Sequence, residues 1–300
     1  MGTEFDVGDF GSFAASRRST RDFLPTPVPD EAIEEIIAAG LTSPSWSNTR
    51  PFVVAVAKGD VRDRLSAEFL RRFEMVKTGQ GEGLLGKLKA LIRWRGLPTS
   101  NWLVIKKYHK DLLPRSQRVG KELFTHMGID RGDKESRDSF WARNYEFFGA
   151  PVELFIFTHK SLGKFAASDA GLFMQNLMLS AHSKGLGTCA QGSVAVWEDA
   201  VRKEFEVSRN YSLLCGICLG YPSDTSVNSF GAERIAPSEI ILSERGRAGP
   251  RDIVQPGLLL DGQVDQGRED PYRDAHPPYR GVAAVGVVED PSQVDPDEAS

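Results

Sequence analysis

Long apolar runs are missing from this sequence of 300 residues. No stretch approaches the roughly 20 apolar residues that a membrane-spanning helix needs, and the start of the chain lacks the apolar core of a signal peptide. We therefore expect a cytoplasmic protein. Hydrophobic residues make up 40% of the chain and charged residues 26%, which is an ordinary globular composition with enough apolar surface for a substantial core.

Cysteine is scarce as well, with three in the whole chain, so a disulfide framework is not expected. Cys215 and Cys218 have CxxC spacing, but they lie in a strand-like run in which residues three apart point to opposite faces. No histidine is nearby, and the five histidines have no metal-ligand spacing. We interpret the cysteines as buried and structural, and we expect no metal site.

Glycine-rich nucleotide-binding loops are not indicated either. The one GxGxxG match, at residues 81–86, follows no predicted strand, and the sequence contains no P-loop motif and no internal repeat, which argues against a Rossmann fold or a nucleotide triphosphatase. No feature indicates a nucleic-acid partner.

The net charge of −4 conceals two opposite regions. Residues 84–121 form a basic stretch with ten lysines and arginines against Asp111 alone, and they lie in an apparent insertion at about residues 75–140. Three interpretations of this stretch remain open: a solvated surface helix, a lid whose positive field attracts an anionic substrate, or, as the least favoured, a membrane contact. Residues 244–300 form an acidic tail rich in Pro and Gly, expected to be extended or partly disordered.

Strand-like and helix-like segments alternate in the remaining chain, residues 1–243. Apolar runs predict three strands, at residues 52–57, 152–158 and 213–219. Amphipathic patterns predict two helices, at residues 31–39 and 198–205. Asp30 is the predicted N-cap of the first of these helices. The mixture predicts one sheet with helices packed over it.

A third predicted helix, at residues 168–184, is apolar around most of its circumference. Ser168 is a plausible N-cap with Asp169 in the first turn, and Gly185 after Lys184 is typical of a helix C-terminus. The following residues 188–193 are small and polar, which suits close approach of backbone to a ligand. Taken alone, this helix could be plain core or part of a cofactor site.

Two polar segments are candidates for ligand binding. Residues 16–21 contain three arginines and two hydroxyl groups besides Ser16, a set that suits a phosphate because guanidinium groups give bidentate, charge-assisted hydrogen bonds. A solvated charged turn is the competing interpretation. Residues 42–51 form a loop rich in turn formers that leads directly into the first strand.

Six motifs, taken in order, resemble the FMN-dependent nitroreductase family and especially its nitrobenzoate-reductase branch: RRSTRDF, SPSWSNTRPF, RNYEFFGAPV, DAGLFMQNLMLSAHSKGLGTCAQG, GICLGYP and NSFGAERI. The resemblance implies an α+β fold with a central, mainly antiparallel sheet surrounded by helices. It also implies an intertwined homodimer with one FMN at each interface.

The resemblance further assigns roles to residues. The FMN phosphate and ribityl chain would be held by Arg17, Arg18, Ser19 and Arg234. Arg21 would lie near flavin N1 and O2, and the backbone of Gln191 and Gly192 would face flavin N5. Asn144, or Arg143 after a one-residue shift of the alignment, would complete the site.

A loop would complete the flavin site of the other subunit, through Pro44, Ser45, Trp46, Ser47 and Asn48. Trp46 and Ser47 would also contact the substrate, a small aromatic acceptor.

The implied activity is transfer of hydride from NAD(P)H to FMN and then to a nitroaromatic or similar electron-poor acceptor, in a ping-pong cycle that needs no protein general base. A flavin-dependent dehydrogenase or dehalogenase of the same fold would share these residues. Two non-catalytic functions stay open as well: a flavin-storing or sensory protein, and a partner-binding module with a solvated arginine segment.

Overall fold

The computed structural model describes residues 8–81, Thr99 and residues 108–243. The acidic tail and the apolar part of the basic stretch, at residues 84–92, fall outside the described residues. The division at residue 243 therefore stays a prediction.

The described chain contains four strands and seven α-helices. The strands are β1 (Phe52–Lys58), β2 (Val152–His159), β3 (Gly187–Gln191) and β4 (Tyr211–Gly220). The helices are α1 (Gly8–Ser16), α2 (Asp30–Leu41), α3 (Gly59–Gly81), α4 (Leu113–His126), α5 (Lys134–Ala142), α6 (Gly163–Ser183) and α7 (Glu198–Glu204). No helix in this part of the chain is long and apolar enough to cross a bilayer.

The strands form one sheet in the order β1-β2-β4-β3, and every neighbouring pair is antiparallel. The predicted α+β fold with a mainly antiparallel sheet is confirmed, as are the three predicted strands. The short edge strand β3 was not predicted as a strand, because its sequence GTCAQ is small and polar and carries no apolar alternation.

Each face of the sheet carries a hydrophobic core. On one face α2 and α6 contribute Ile36, Phe173 and Leu177, and on the other α3 and the segment before α7 contribute Phe69 and Trp197. Burial on both faces explains why β2 reads as a continuous apolar run with almost every side chain buried.

The two cysteines of the CxxC spacing lie on opposite faces of β4, as predicted. Cys215 belongs to the core beside α6 and Cys218 to the core beside α3, and all three cysteines are buried and free.

Two predicted helix starts are wrong in detail. Helix α6 begins at Gly163, so Ser168 lies inside the helix, and Asp169 is buried and accepts a hydrogen bond from the Trp46 backbone N–H at 2.9 Å. Asp169 resembled a first-turn acidic residue, but its carboxylate binds another segment. In α2 the N-cap is Pro29, and Asp30 pairs with Lys58 instead of capping.

The described part of the basic stretch packs against the C-terminal segment. Arg115 and Arg118 of α4 pair with Glu239 and Glu233, and the His126 ring lies 2.7 Å from the Ser226 carbonyl oxygen. These contacts are those of a surface helix packed by one face. The lid and membrane interpretations stay untested.

A buried ion pair joins α3 to α7. The Arg72 side chain is 4% exposed and donates to both carboxylate oxygens of Asp199, at 2.6 and 2.8 Å. Glu68 also accepts from Arg72, so this buried guanidinium is neutralised by two carboxylates.

A carboxyl group on the central strand β2 also lies inside the core. Glu153 on β2 is fully buried, and neither carboxyl oxygen has a hydrogen-bond partner of ordinary geometry among the described residues. Its carboxyl lies against Gly216 of β4, where any side chain would collide with it. Burial raises the pKa of Glu153 well above its usual 4.5, because a carboxylate loses its hydration there.

The shifted pKa of Glu153 predicts a stability that falls as pH rises. The folded protein keeps the proton while the unfolded chain releases it above pH 4.5, so the free energy of unfolding decreases by about 1.4 kcal/mol per pH unit until the folded pKa is reached. Glu153→Gln, which cannot ionise, should remove this decrease. Urea unfolding from pH 5 to 8 measures it.

The exposed Glu34→Gln variant is the matched control and should follow the wild type at every pH. A wild-type minus Glu153→Gln difference that stays constant from pH 5 to 8 would contradict the raised pKa.

Candidate functional site

The segment after α1 runs along the edge of the sheet. Ser19 forms a β-bridge with Thr188 of β3, and the Thr20 backbone N–H donates to the Thr188 carbonyl oxygen at 3.0 Å. Gly187 permits this contact, because a Cβ there would collide with the Thr20 side chain. The edge strand therefore fixes the polar segment that the sequence singled out.

Three arginines from the two ends of the described chain lie together. Arg18 packs beside Gly231, and its guanidinium donates to the Ala15 carbonyl oxygen at 2.7 Å. Arg234 donates to the Ala232 carbonyl oxygen at 2.8 Å. We call Arg17, Arg18 and Arg234 the arginine cluster.

The arginine cluster has unbalanced positive charge. Partial burial lowers the pKa of Arg17 most, followed by the nearby charges of Arg234 and Arg18. Within the described residues no carboxylate pairs with any of the three, and their hydrogen bonds go to backbone carbonyl oxygens. A multivalent oxyanion such as a phosphate would relieve this repulsion, so the donor set fits a phosphate-bearing ligand.

Arg21 is held from the far side of the sequence by Asn228. The Asn228 side chain accepts from the backbone N–H of Arg21 at 2.7 Å and donates to the Asp22 carbonyl oxygen at 2.7 Å. Its amide also donates to the Ser223 carbonyl oxygen at 2.9 Å. Sequence reasoning gave Asn228 no role, because nothing local to it indicates a partner 207 residues away.

The end of β3 approaches Asn144. Gln191 donates from its side-chain Nε2 to the Asn144 carbonyl oxygen at 2.8 Å, and Gly192 beyond it is exposed. Arg143, which a one-residue shift of the alignment would put in place of Asn144, instead pairs with Asp22 at 2.5 Å and with Glu146 at 3.0 Å. The geometry therefore brings Asn144 rather than Arg143 to the end of β3.

The Cys189 thiol links β3 to the arginine segment. A hydrogen bond with Cys218 and the positive charges of Arg21 and Arg17 hold the pKa of Cys189 below its usual range, although burial opposes them. Arg17, Arg21 and the inner face of β3 thus lie within electrostatic reach of one another.

The loop before β1 is built around a strained turn. Ser47, Asn48 and Arg50 have positive φ values of 49°, 58° and 44°, in the left-handed region that costs a non-glycine residue of the order of 1 kcal/mol. Trp46 is 53% exposed and lies 4.2 Å, between ring centroids, from the exposed ring of Phe165. This apolar surface is presented to solvent in a single chain.

Helix α6 separates this loop from the arginine cluster. Asp169 holds the loop through the Trp46 backbone, while His182 binds Ser16 at 2.7 Å next to the arginines. Their spacing of thirteen residues corresponds to roughly 20 Å along the axis. The predicted residues Pro44 to Asn48 are therefore not brought to the arginine cluster within one chain.

The comparison with known families matches this geometry. A family model described as "Nitroreductase family" matches residues 14–221, more than half of the chain. The chain belongs to the nitroreductase family. The resemblance identified from the six motifs is confirmed.

Among relatives of known function, the chain is 33% identical to the 4-nitrobenzoate reductase of Pseudomonas putida over 227 residues, covering 75% of this chain and 91% of that protein. Its fold is also similar to two solved nitroreductase structures.

The first is the FMN and NADPH-dependent nitroreductase NfnB from Sphigopyxis sp. strain HMH, with TM-score 0.67, 26% identity and coverage of 78% of this chain and 98% of that chain. The second is the FMN-dependent nitroreductase NfnB from Mycobacterium smegmatis in complex with NADPH, with TM-score 0.63, 28% identity and coverage of 78% and 97%.

The arginine cluster predicts binding of inorganic phosphate. A ligand that binds only the folded protein stabilises it, by about 2.7 kcal/mol at 100 times its dissociation constant. Phosphate should therefore raise the thermal unfolding midpoint of the wild type, and Arg17→Ala should remove most of the rise. Calorimetry over a phosphate series, with chloride matching the ionic strength, measures this.

Arg209→Ala is the control, since Arg209 is an exposed arginine before β4 with no link to the cluster. An equal rise in Arg17→Ala and wild type would show that phosphate acts elsewhere.

Proposed function

We propose that this protein is an FMN-dependent nitroreductase that passes hydride from NADPH or NADH to nitroaromatic acceptors. The observation that carries the proposal is the arginine cluster, which has no carboxylate partner among the described residues and lies against β3, with Arg17 within electrostatic reach of Cys189. The names of the similar proteins, which include nitrobenzoate reduction, FMN and NADPH, support the same activity.

The arginine cluster would hold the FMN phosphate, and Ser19 would contact the ribityl chain. Bound FMN would supply hydride exchange at its N5 atom. Arg21 would stabilise negative charge at flavin N1 and O2, because a fixed guanidinium needs no reorganisation as the charge develops. Asn228 fixes the Arg21 backbone by accepting a hydrogen bond from its N–H, which suits this role.

The end of β3 would form the N5 side of the site. Gln191 and Gly192 would present their backbone to N5, and Asn144, bound to the Gln191 side chain, would lie next to them. The exposed Gly192 leaves room for close approach of a ring. The proposed chemistry requires no protein general base.

The separation of the loop and the arginine cluster supports a homodimer. Pro44, Ser45, Trp46, Ser47 and Asn48 lie roughly 20 Å along α6 from their own cluster, so they would complete the site of a second copy. Trp46 and Ser47 would then form a wall for the aromatic acceptor. The exposed Trp46 and Phe165 rings support burial against a partner chain. A cytoplasmic location stays a prediction from composition.

Anaerobic reduction tests the activity. The FMN-reconstituted protein, mixed with NADPH or NADH in separate stopped-flow runs, should lose its oxidised flavin absorbance and regain it on addition of 4-nitrobenzoate. Arg21→Ala should slow the reduction about a hundredfold, as expected for removing one preorganised charge-stabilising group.

Three different outcomes would each favour another function. Bound flavin that neither nicotinamide reduces would favour a storage or sensory protein, and oxidation of an organic substrate with oxygen as acceptor would favour a dehydrogenase. Failure to bind any flavin would favour a function as a partner-binding module.

Subunit complementation tests the shared site. If each site combines the arginines of one chain with the loop of the other, a mixed dimer of Arg17→Ala and Trp46→Ala chains contains one intact site. Refolding the two inactive variants together at equal amounts should restore about one quarter of wild-type activity, as statistical pairing of isologous dimers gives. Arg17→Ala refolded alone is the control, and no recovery in the mixture would place both groups in one chain's site.

A further inference from the structure

Glu153 occupies a position that neither the sheet nor the proposed hydride transfer explains. It is fully buried on central strand β2, and Gly216 on the neighbouring strand leaves the space for its carboxyl group. A buried carboxyl group without complete hydrogen bonding costs free energy, and an alanine or valine would fill a core position without that cost.

A chain of hydrogen bonds connects this region with the end of β3. Cys218 of β4 is paired with Glu153 of β2 in the sheet, and it donates its thiol hydrogen to Gln191 Oε1 at 3.0 Å. Gln191 in turn donates from Nε2 to the Asn144 carbonyl oxygen at 2.8 Å. The Cys218 thiol has one hydrogen, and Gln191 Oε1, the Cys189 carbonyl oxygen at 3.5 Å and the Cys189 thiol compete for it, so Glu153 would have to supply its own proton to a bond with the sulfur.

The groups around Glu153 do not neutralise a carboxylate. Arg62 of α3 attracts it, but its guanidinium is committed to the Ala150 and Glu146 carbonyl oxygens, at 3.0 and 2.6 Å. Cys189 of β3 disfavours the charged form. The remaining contacts are apolar or thiol: Ala57 of β1 pairs with Glu153, Val194 lies against Gly216, and Cys215 is on the opposite face of β4.

We propose that Glu153 is a positioning residue for the flavin site, where its neutral carboxyl keeps the Cys218 thiol directed at Gln191 and so fixes the backbone that faces flavin N5. This role rests on the proposed function. Loss of the proton would put a negative charge next to β3, whose backbone would face the flavin. Since a reduced flavin would also be negatively charged, reduction of the flavin and protonation of Glu153 favour each other.

A purely structural Glu153 would affect stability but not the flavin. The distinguishing measurement is the reduction potential of bound FMN in the full chain between pH 6 and 10, for wild type, Glu153→Gln and Cys215→Ala. In the pH range where Glu153 titrates, wild-type reduction should take up as much as one additional proton. The equilibrium constant for flavin reduction then falls by an additional factor of ten per pH unit relative to Glu153→Gln. For a two-electron couple this corresponds to about 30 mV per pH unit.

Cys215→Ala is the control, because Cys215 is also buried on the same strand as Cys218 but faces the other core, and it should follow the wild type. Infrared spectroscopy of the FMN-free protein gives a second readout, since a protonated carboxyl stretch should be present in wild type and Cys215→Ala and missing in Glu153→Gln.

The relay through Cys218 has its own test. Cys218→Ala removes one buried hydrogen bond and should weaken FMN binding about tenfold, while Cys218→Ser, which keeps a donor, should restore most of it.

Each contrary result has a defined meaning. If FMN binds and its reduction potential has the same pH dependence in wild type and Glu153→Gln, the role of Glu153 is overturned and the nitroreductase proposal stands. A wild type that binds no FMN would overturn both. Equal FMN affinity in Cys218→Ala and wild type would refute the relay.

Discussion

The packing of α6 between α2 and the sheet sets the geometry of the site. Phe173 and Leu177 lie under α2, and Gly40 allows the closest approach, since a Cβ there would be 2.6 Å from the Phe173 ring. The loop and the arginine cluster are attached near opposite ends of this helix. A slip of α6 by one turn would move both attachments by about 5.4 Å, far beyond hydrogen-bond tolerance.

Two arginines show how the fold treats positive charge differently. Arg72 is deeply buried and neutralised by Asp199 and Glu68, as a structural guanidinium requires. Arg17 is half-buried beside two other guanidinium groups, and its charge is left unbalanced within the described chain. Hydrophobic burial on both faces of the sheet offsets the free energy of repulsion among these three arginines. Binding of an anionic ligand would remove that repulsion.

Much of the fold was readable from the sequence, because strands buried on both faces and amphipathic helices leave strong patterns. The grouping of Arg17, Arg18 and Arg234 was predicted by resemblance, and the structure brings them together. The start of α6 was misplaced because Asp169 serves the Trp46 backbone, not its own helix.

The parts that sequence reasoning missed depend on distant partners. Asn228 and Glu153 have no local signature, since each acquires its role from another strand or from the opposite end of the chain. Even β3 was recognised only as a polar segment, because its strand character comes from pairing with β4.

The hold of Asn228 on Arg21 has a consequence for synthesis of the protein. The two residues are 207 positions apart, and a ribosome adding about 5–20 residues per second needs roughly 10–40 s to span them. Throughout that interval the nascent chain contains its arginine segment without the side chain that fixes it. A stalled product that already has all four strands would still lack this anchor, so the anion-binding site assembles only after the sheet has been synthesised.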